Sequence, residues 1–223
     1  MKKTLLGLFT LLAISLLAGK AISGDQAATD MPRGVLAGAA LLEALRGGGY
    51  VIYLRHTASN PEQVDQDSLI LGDCGTQRNL SDQGREQAVA IGEAFRTLGI
   101  TVSAVIASPY CRARDTARLA FGHADTSDDL RFSIGAGDVQ TAVRAAALRR
   151  LLATAPAPGG NSVIVAHTAN LKDATDIWPK PEGVAVIFRP TGNGAFQYVA
   201  SLAPDDWPAL IDAAADAQQA TIR

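Results

Sequence analysis

Three apolar runs of strand length occur along the chain, and each ends where charged or polar residues begin. The runs and the residues that follow them are 50–54 with Arg55-His56, 100–107 with Ser108, and 162–166 with His167. They are rich in β-branched and aromatic residues, which predicts buried strands. Segments with helical spacing separate the runs and can form crossovers between parallel strands. The pattern therefore predicts an α/β domain with a parallel or mostly parallel sheet, whose strand ends meet at one edge.

Helical spacing and turn residues define the segments around these strands. Ser81 is a favoured N-cap for a helix that ends at Gly99. Between the first strand and this helix, residues 57–80 form a polar loop that is longer than connections usually are in compact domains. Loops of this length are often functional. The other predicted elements are a helix at 34–45, an irregular segment at 119–131, a helix at 141–152, a hairpin formed by 184–188 and 196–199, and a terminal helix at 205–217.

The residues after the second run predict a helix that begins at the edge of the sheet. Ser108 is a favoured N-cap, and Pro109 is favoured in the first helical position. Arg112 and Arg114 would then lie in the first two turns, where the helix dipole disfavours cations. Arginines at such an unfavourable position indicate a nearby anion, with a solvated arginine as the alternative. Because residues two apart point nearly opposite ways on a helix, only one of these arginines can face the anion.

Composition narrows the class of protein. The 223 residues are 48% hydrophobic and 19% charged, with a net charge of -2. These values exclude a disordered chain and give no reason to expect nucleic acid or an anionic membrane surface as a partner. Near the amino end, Lys2 and Lys3 precede a mostly apolar run at 5–18, which is typical of a secretory signal peptide. We therefore predict a signal peptide at 1–23 and one domain at 34–223, without a stable membrane anchor.

The two cysteines, Cys74 and Cys111, both lie in the part of the chain predicted to be exported. An even count in an oxidising compartment predicts one disulfide, with two free buried thiols as the alternative. The three histidines, His56, His123 and His167, do not lie at zinc-ligand spacing from either cysteine, so no metal site is predicted. His123 stands in a loop-like context and is expected at the surface.

Two arginines and two histidines are expected at the shared edge of the sheet. They are Arg55, His56, Arg112 and His167. Guanidinium groups match phosphate oxygens in bidentate fashion. A histidine kept neutral by neighbouring cations retains a free lone pair. Together these side chains are suited to bind a dianion and to transfer a phosphoryl group through a phosphohistidine.

The three motifs resemble those of the histidine phosphatase superfamily. Members carry R-H-G after the first strand, S-x-x-x-R-A-x-x-T-A after the second, and a further histidine after a later strand. The corresponding residues here are Arg55-His56-Thr57, residues 108–117 and His167, and residues 79–84 are similar to the family's usual start of the following helix. The resemblance implies a three-layer α/β/α sandwich that needs no metal or organic cofactor.

Residue roles follow from the same resemblance, position by position. It implies that His56 is the nucleophile and that His167 stabilises the transferring group. It also implies that Arg55 and Arg112 bind the phosphate.

The sequence departs from the family pattern in two respects. Thr57 replaces the glycine of R-H-G, which adds either a further phosphate contact or a constraint on substrate size. The general acid is not assigned, because Phe132 and Thr168 stand where the two branches of the family carry an acidic residue. Candidates for this role are Asp128, Asp129 and Glu182. A leaving group that is easily expelled, as in phosphohistidine, needs little help from an acid.

We predict an exported, periplasmic, metal-independent phosphatase that hydrolyses a small phosphomonoester through a phosphohistidine on His56. Two alternatives are a non-catalytic binder of phosphorylated ligands, which tolerates the loss of an acid, and a phosphohistidine protein phosphatase. The signal peptide, the cysteine in the loop after the first motif and the short carboxyl-terminal half are also similar to those of periplasmic phosphatases that act on heptose phosphate of the lipopolysaccharide core.

Overall fold

The computed structural model describes residues 32–222, and the predicted signal peptide at 1–23 lies outside the described residues. Helices and strands alternate along this range, as the apolar pattern predicts, except at the predicted hairpin. In chain order they are α1 Gly38–Gly47, β1 Val51–Arg55, α2 Asp82–Thr97, β2 Val102–Ala107, α3 Cys111–Phe121, β3 Asp125–Thr126, α4 Asp138–Ala153, β4 Asn161–Ala166, α5 Thr168–Thr175, β5 Ala185–Gly192, β6 Ala195–Leu202 and α6 Asp206–Ile222. Within residues 32–222, none of the helices is long and apolar enough to cross a membrane.

The strands form one sheet in the order β3-β2-β4-β1-β5-β6. β1 pairs with β4 in parallel, β4 with β2, and β2 with β3. β5 and β6 are the predicted hairpin and run antiparallel beside β1. The prediction of a mostly parallel sheet is confirmed.

Alternate side chains of each central strand enter two separate cores. On β1, Ile52 and Leu54 pack with α1, α2, α3 and α6, whereas Val51 and Tyr53 pack with α4 and α5. All four side chains are at most 1% exposed. A strand that is buried on both faces reads as a continuous apolar run, which explains the pattern in the sequence. The three-layer α/β/α sandwich is confirmed.

The three strand ends lie side by side, because β4 stands between β1 and β2. The N–H of His56, after β1, donates to the carbonyl of Ala166 at 3.0 Å. The N–H of Ser108, after β2, donates to the carbonyl of Val165 at 2.8 Å. His167 follows β4 directly. The backbone ladder therefore brings these three residues to one edge of the sheet.

The start of α3 differs from the prediction. The helix begins at Cys111 with Tyr110 as its N-cap, so Ser108 and Pro109 precede it. The side chain of Ser108 contacts His167 instead of capping the helix. An orphan N–H of the first turn, that of Cys111, donates to Oε1 of Gln77 at 2.9 Å. A side chain from the long loop thus supplies the cap that the sequence assigns to serine.

The loop at 57–80 is attached to α3 by a covalent bond as well. Cys74 and Cys111 form a disulfide, so the predicted pairing is present. Arg114 lies beside it, with Nη2 3.2 Å from the sulfur of Cys111. His123, at the other end of α3, is exposed as expected.

We expect Gly92→Ala to destabilise the fold, because α2 approaches the backbone of α3 at this glycine. An added Cβ would overlap the backbone of Ala120. Overpacking against backbone lowers the free energy of unfolding by about 1–3 kcal/mol. Gly47→Ala is the matched control, since an added Cβ there meets no atom within 4 Å. Urea denaturation of both variants measures the difference, and equal stabilities would contradict the close packing of α2 on α3.

Candidate active site

A cavity of about 340 Å³ lies beside the carboxyl ends of β1 and β4. It brings together the four predicted site residues, Arg55, His56, Arg112 and His167. Four further charged side chains line it, namely Asp65, Arg78, Lys180 and Glu182. The convergence that was predicted from three separate motifs is therefore present in the fold.

The ring of His56 is oriented by the backbone that follows it. Its Nδ1 atom lies 3.0 Å from the carbonyl oxygen of Thr57. A carbonyl can only accept, so Nδ1 carries the proton of the neutral ring and Nε2 retains its lone pair. Burial, followed by the charge of Arg112, lowers the pKa of His56 to about 3. His56 is therefore neutral at pH 7, with a nucleophilic nitrogen available.

His167 lies edge-on to His56, with 5.4 Å between the ring centroids. Its Nε2 atom is 2.8 Å from the hydroxyl oxygen of Ser108. Its Nδ1 atom is buried and has no hydrogen-bond partner among the described residues. Burial and then Arg112 lower the pKa of His167 well below its usual value. Nδ1 of His167 is therefore available for a hydrogen bond to a ligand or to water in the cavity.

Arg112 is almost completely buried at the floor of the cavity and is held by a carboxylate. Its Nη1 and Nη2 atoms donate to the two oxygens of Asp65 at 2.9 and 3.1 Å. Its guanidinium carbon lies 4.8 Å from the centroid of the Tyr110 ring, in a cation–π contact. Arg114, two residues on, contacts the disulfide. Only one of the two arginines faces the cavity, as the helical spacing predicts.

Arg55 is paired with Glu182, one of the three candidate acids. Nη2 of Arg55 donates to Oε1 of Glu182 at 3.0 Å. The N–H and the hydroxyl of Ser59 donate to the same carboxylate at 2.8 and 2.9 Å. Burial by itself would raise the pKa of Glu182, but these hydrogen bonds and the nearby positive charges give a net lowering. Glu182 is ionised at neutral pH and is therefore a poor proton donor.

The other candidates for the acid lie away from the site. Asp128 and Asp129 are exposed in a short 3₁₀ turn and do not line the cavity. Thr57 is buried and also points elsewhere, because its hydroxyl is 3.1 Å from that of Thr116. The threonine that replaces the family glycine therefore joins β1 to α3. In this structure it makes no contact inside the cavity.

Three charged residues of the cavity were not predicted from the sequence. Arg78 stands directly before the residues 79–84 that resemble the family's helix start, so its position carried a signal. Asp65 and Lys180 lie in polar segments without a local pattern. Asp65 meets Arg112 across 47 positions of sequence, and only the folded loop brings them together.

Residues 32–222 contain no group of three or more histidine, cysteine, aspartate or glutamate side chains that could hold a metal ion. The groups available for chemistry in the cavity are thus two neutral histidines, four cations and two carboxylates. Such a set is suited to bind and transfer a group with negative charge.

Residues 52–132 match the model of the histidine phosphatase superfamily (branch 1). The matched range includes both the Arg55-His56 motif and the Ser108 motif. Over this range, which is about a third of the chain, the sequence is similar to the histidine phosphatase superfamily. The predicted resemblance is confirmed, and the match supports the predicted enzyme class of a phosphatase. A search of curated proteins finds no significant match.

Two solved structures have a fold similar to that of this chain. The protein histidine phosphatase SixA in complex with tungstate has a TM-score of 0.53 and 14% sequence identity, over 70% of this chain and 98% of that chain. The structure named mycobacterial hydrolase 1 has a TM-score of 0.50 and 16% identity, over 69% of this chain and 98% of that chain. At these identities the likeness establishes the fold.

The neutral, buried state of His56 predicts that acid destabilises the protein. In the unfolded chain a histidine binds a proton below a pKa of about 6.5, whereas in the fold His56 does so only near pH 3. Between these values the unfolded state binds more protons, so stability falls as pH falls from about 6.5. The conformational stability that His56 contributes is present at pH 7.5 and is partly lost at pH 4.5.

The variant His56→Gln removes this dependence. Urea denaturation at pH 7.5 and 4.5 should show that the variant loses about 2 kcal/mol less stability on acidification than the wild type does. His123→Gln, at an exposed histidine, is the control and should lose as much as the wild type. An identical loss in His56→Gln and wild type would mean that His56 titrates at its ordinary pKa.

Proposed function

We propose that this protein is an exported, metal-independent phosphatase that hydrolyses a phosphomonoester through a phosphohistidine on His56. The observation that carries the proposal is the hydrogen bond from Nδ1 of His56 to Thr57. It leaves Nε2 as the nucleophilic atom in a cavity that is lined by three arginines. A pure binder of phosphate gains nothing from a neutral histidine oriented in this way.

The charges of the cavity match a phosphate dianion. Four cationic and two anionic side chains line it, an excess of two positive charges. Thr168 and Ala169, in the first turn of α5, also line the cavity. The backbone N–H groups of a first helical turn have no partner within the helix, and the helix dipole favours an anion there. These features support a binding site for the phosphoryl oxygens.

Transfer then takes two steps. Nε2 of His56 attacks phosphorus, the bond to the leaving oxygen breaks, and the leaving oxygen takes up a proton from water. Water next attacks the phosphohistidine, which releases inorganic phosphate and restores neutral His56. We assign His167 to the transferring group, because its unpaired Nδ1 can donate a hydrogen bond to a phosphoryl oxygen when Ser108 donates to Nε2. Fixed donors of this kind stabilise charge that develops in the transition state.

Export is supported by two features of the chain. The disulfide between Cys74 and Cys111 is a kind of bond that persists in oxidising compartments. The basic and then apolar residues at the amino end are typical of a signal peptide. We place the enzyme in the periplasm on these grounds.

A second candidate substrate class is phosphohistidine or a related phosphoramidate. Among the described residues that line the cavity, the carboxylates are Asp65 and Glu182, and both are engaged by arginines. An alkoxide leaving group needs a proton from an acid, whereas an easily expelled leaving group does not. The ion pairs therefore favour activated leaving groups over simple alkyl phosphates.

We expect the purified protein to hydrolyse p-nitrophenyl phosphate in the presence of EDTA. His56→Ala should lower kcat by about 10³-fold or more, because it removes the nucleophile. His123→Ala is the matched control and should retain activity. Intact-mass measurement after rapid quenching should detect a phosphorylated wild-type enzyme and none in His56→Ala. Binding of orthovanadate without turnover between pH 4 and 8 would favour the non-catalytic binder.

Because both cavity carboxylates are paired with arginines in the free enzyme, we expect a steep dependence on the leaving group. We expect kcat/KM for p-nitrophenyl phosphate or phosphoramidate to exceed that for glycerol phosphate by about 10²-fold or more, the range that general acids contribute. Steady-state kinetics with the three compounds measure this ratio. Comparable rates for the alkyl phosphate would mean that one of the cavity carboxylates donates a proton.

A further inference from the structure

Asp65 is bound to Arg112, the side chain of the cavity that is best suited to hold a phosphate. Its two carboxylate oxygens take the two terminal nitrogens of Arg112, in the bidentate arrangement that guanidinium groups form with phosphate. One of these oxygens also accepts from the N–H of Arg78 at 2.9 Å. A carboxylate that receives three N–H donors in this way acts as an anion within the site.

The two partners differ in how firmly the fold holds them. The side chain of Arg112 is 4% exposed, whereas that of Asp65 is 25% exposed. Arg112 belongs to α3 and also donates to the carbonyl of Arg78 at 3.2 Å. Asp65 belongs to the long loop, and the residues on either side of it, at 61–64 and 66–68, are exposed. Asp65 can therefore leave the ion pair by local rotation, while Arg112 cannot move without disturbing the helix.

We propose that Asp65 is an internal competitor for the phosphate site, which substrate and product phosphate displace from Arg112. This inference rests on the proposed role of Arg112 in binding phosphate. Asp65 keeps the buried guanidinium paired in the free enzyme, which avoids the cost of an unpaired buried cation. It also lowers the affinity for inorganic phosphate, because each binding event must break the ion pair. The residue thereby limits inhibition by the product.

The cysteine pair explains how the competitor stays within reach. The disulfide joins the loop to Cys111, the residue before Arg112, and Gln77 caps the same helix. When phosphate displaces the carboxylate, the loop remains anchored at these two points. Asp65 can then return as soon as the product departs.

The test compares Asp65→Asn with Asp67→Asn, which removes the same charge from an exposed position of the same loop. Inhibition of p-nitrophenyl phosphate hydrolysis by inorganic phosphate gives Ki, and titration calorimetry with inorganic phosphate gives Kd. We expect Asp65→Asn to lower both constants by about three- to tenfold, the worth of a partly exposed ion pair. Asp67→Asn should change them by less than about twofold, since the interaction of an exposed charge with the site is screened.

Unchanged or higher constants in a folded Asp65→Asn enzyme would overturn the proposal, because Asp65 would then merely position Arg112. A crystal structure of the wild type with orthovanadate gives a second reading that does not depend on a variant. We expect the Asp65–Arg112 pair to be broken in it, and a pair retained at 2.9–3.1 Å overturns the inference. If the wild type hydrolyses the aryl phosphate but Asp65→Asn does not lower Ki and Kd, only this inference is wrong. If the wild type neither hydrolyses the compound nor binds phosphate, the proposed function is wrong as well.

Discussion

The parallel pairing of β4 with both β1 and β2 is the constraint on which the site depends. It sets the ends of three strands side by side. The N–H of His56 therefore donates to the carbonyl of Ala166, and the N–H of Ser108 donates to that of Val165, the last two residues of β4. The two cores on either side of the sheet hold this register, because a slip by one residue would exchange their side chains. The 5.4 Å between the two histidine rings is thus a consequence of strand pairing.

Burial of two histidines among arginines has an electrostatic consequence for the whole site. Desolvation and the Arg112 charge both lower the histidine pKa values. The carboxylates of Asp65 and Glu182 pair with Arg112 and Arg55 and neutralise only part of the positive charge of the cavity. The free site therefore holds two neutral histidine rings among cationic side chains, which suits a histidine that is to attack a dianion.

Much of this arrangement could be predicted from the sequence, because it depends on local patterns. Continuous apolar runs identify the central strands, and the polar residues after them identify the site edge. The start of α3 could not be predicted, because Gln77 caps it from a distant loop. Asp65 was missed for the same reason. Asp65 and Arg112 are 47 positions apart in the sequence, and no local pattern connects them. They meet only in the folded chain, where the disulfide holds the exposed loop against α3.

The two ion pairs of the cavity differ in how many further contacts hold the carboxylate in place. Glu182 is held by the N–H and the hydroxyl of Ser59 in addition to Arg55, so it is part of the fixed frame. Asp65 depends on Arg112 and on one backbone N–H, within an exposed loop. If phosphate binds as proposed, it would displace the carboxylate that is held by fewer contacts, which is that of Asp65. The fixed pair orients Arg55, whereas the proposed exchange of Asp65 would leave Arg112 as the group that binds substrate.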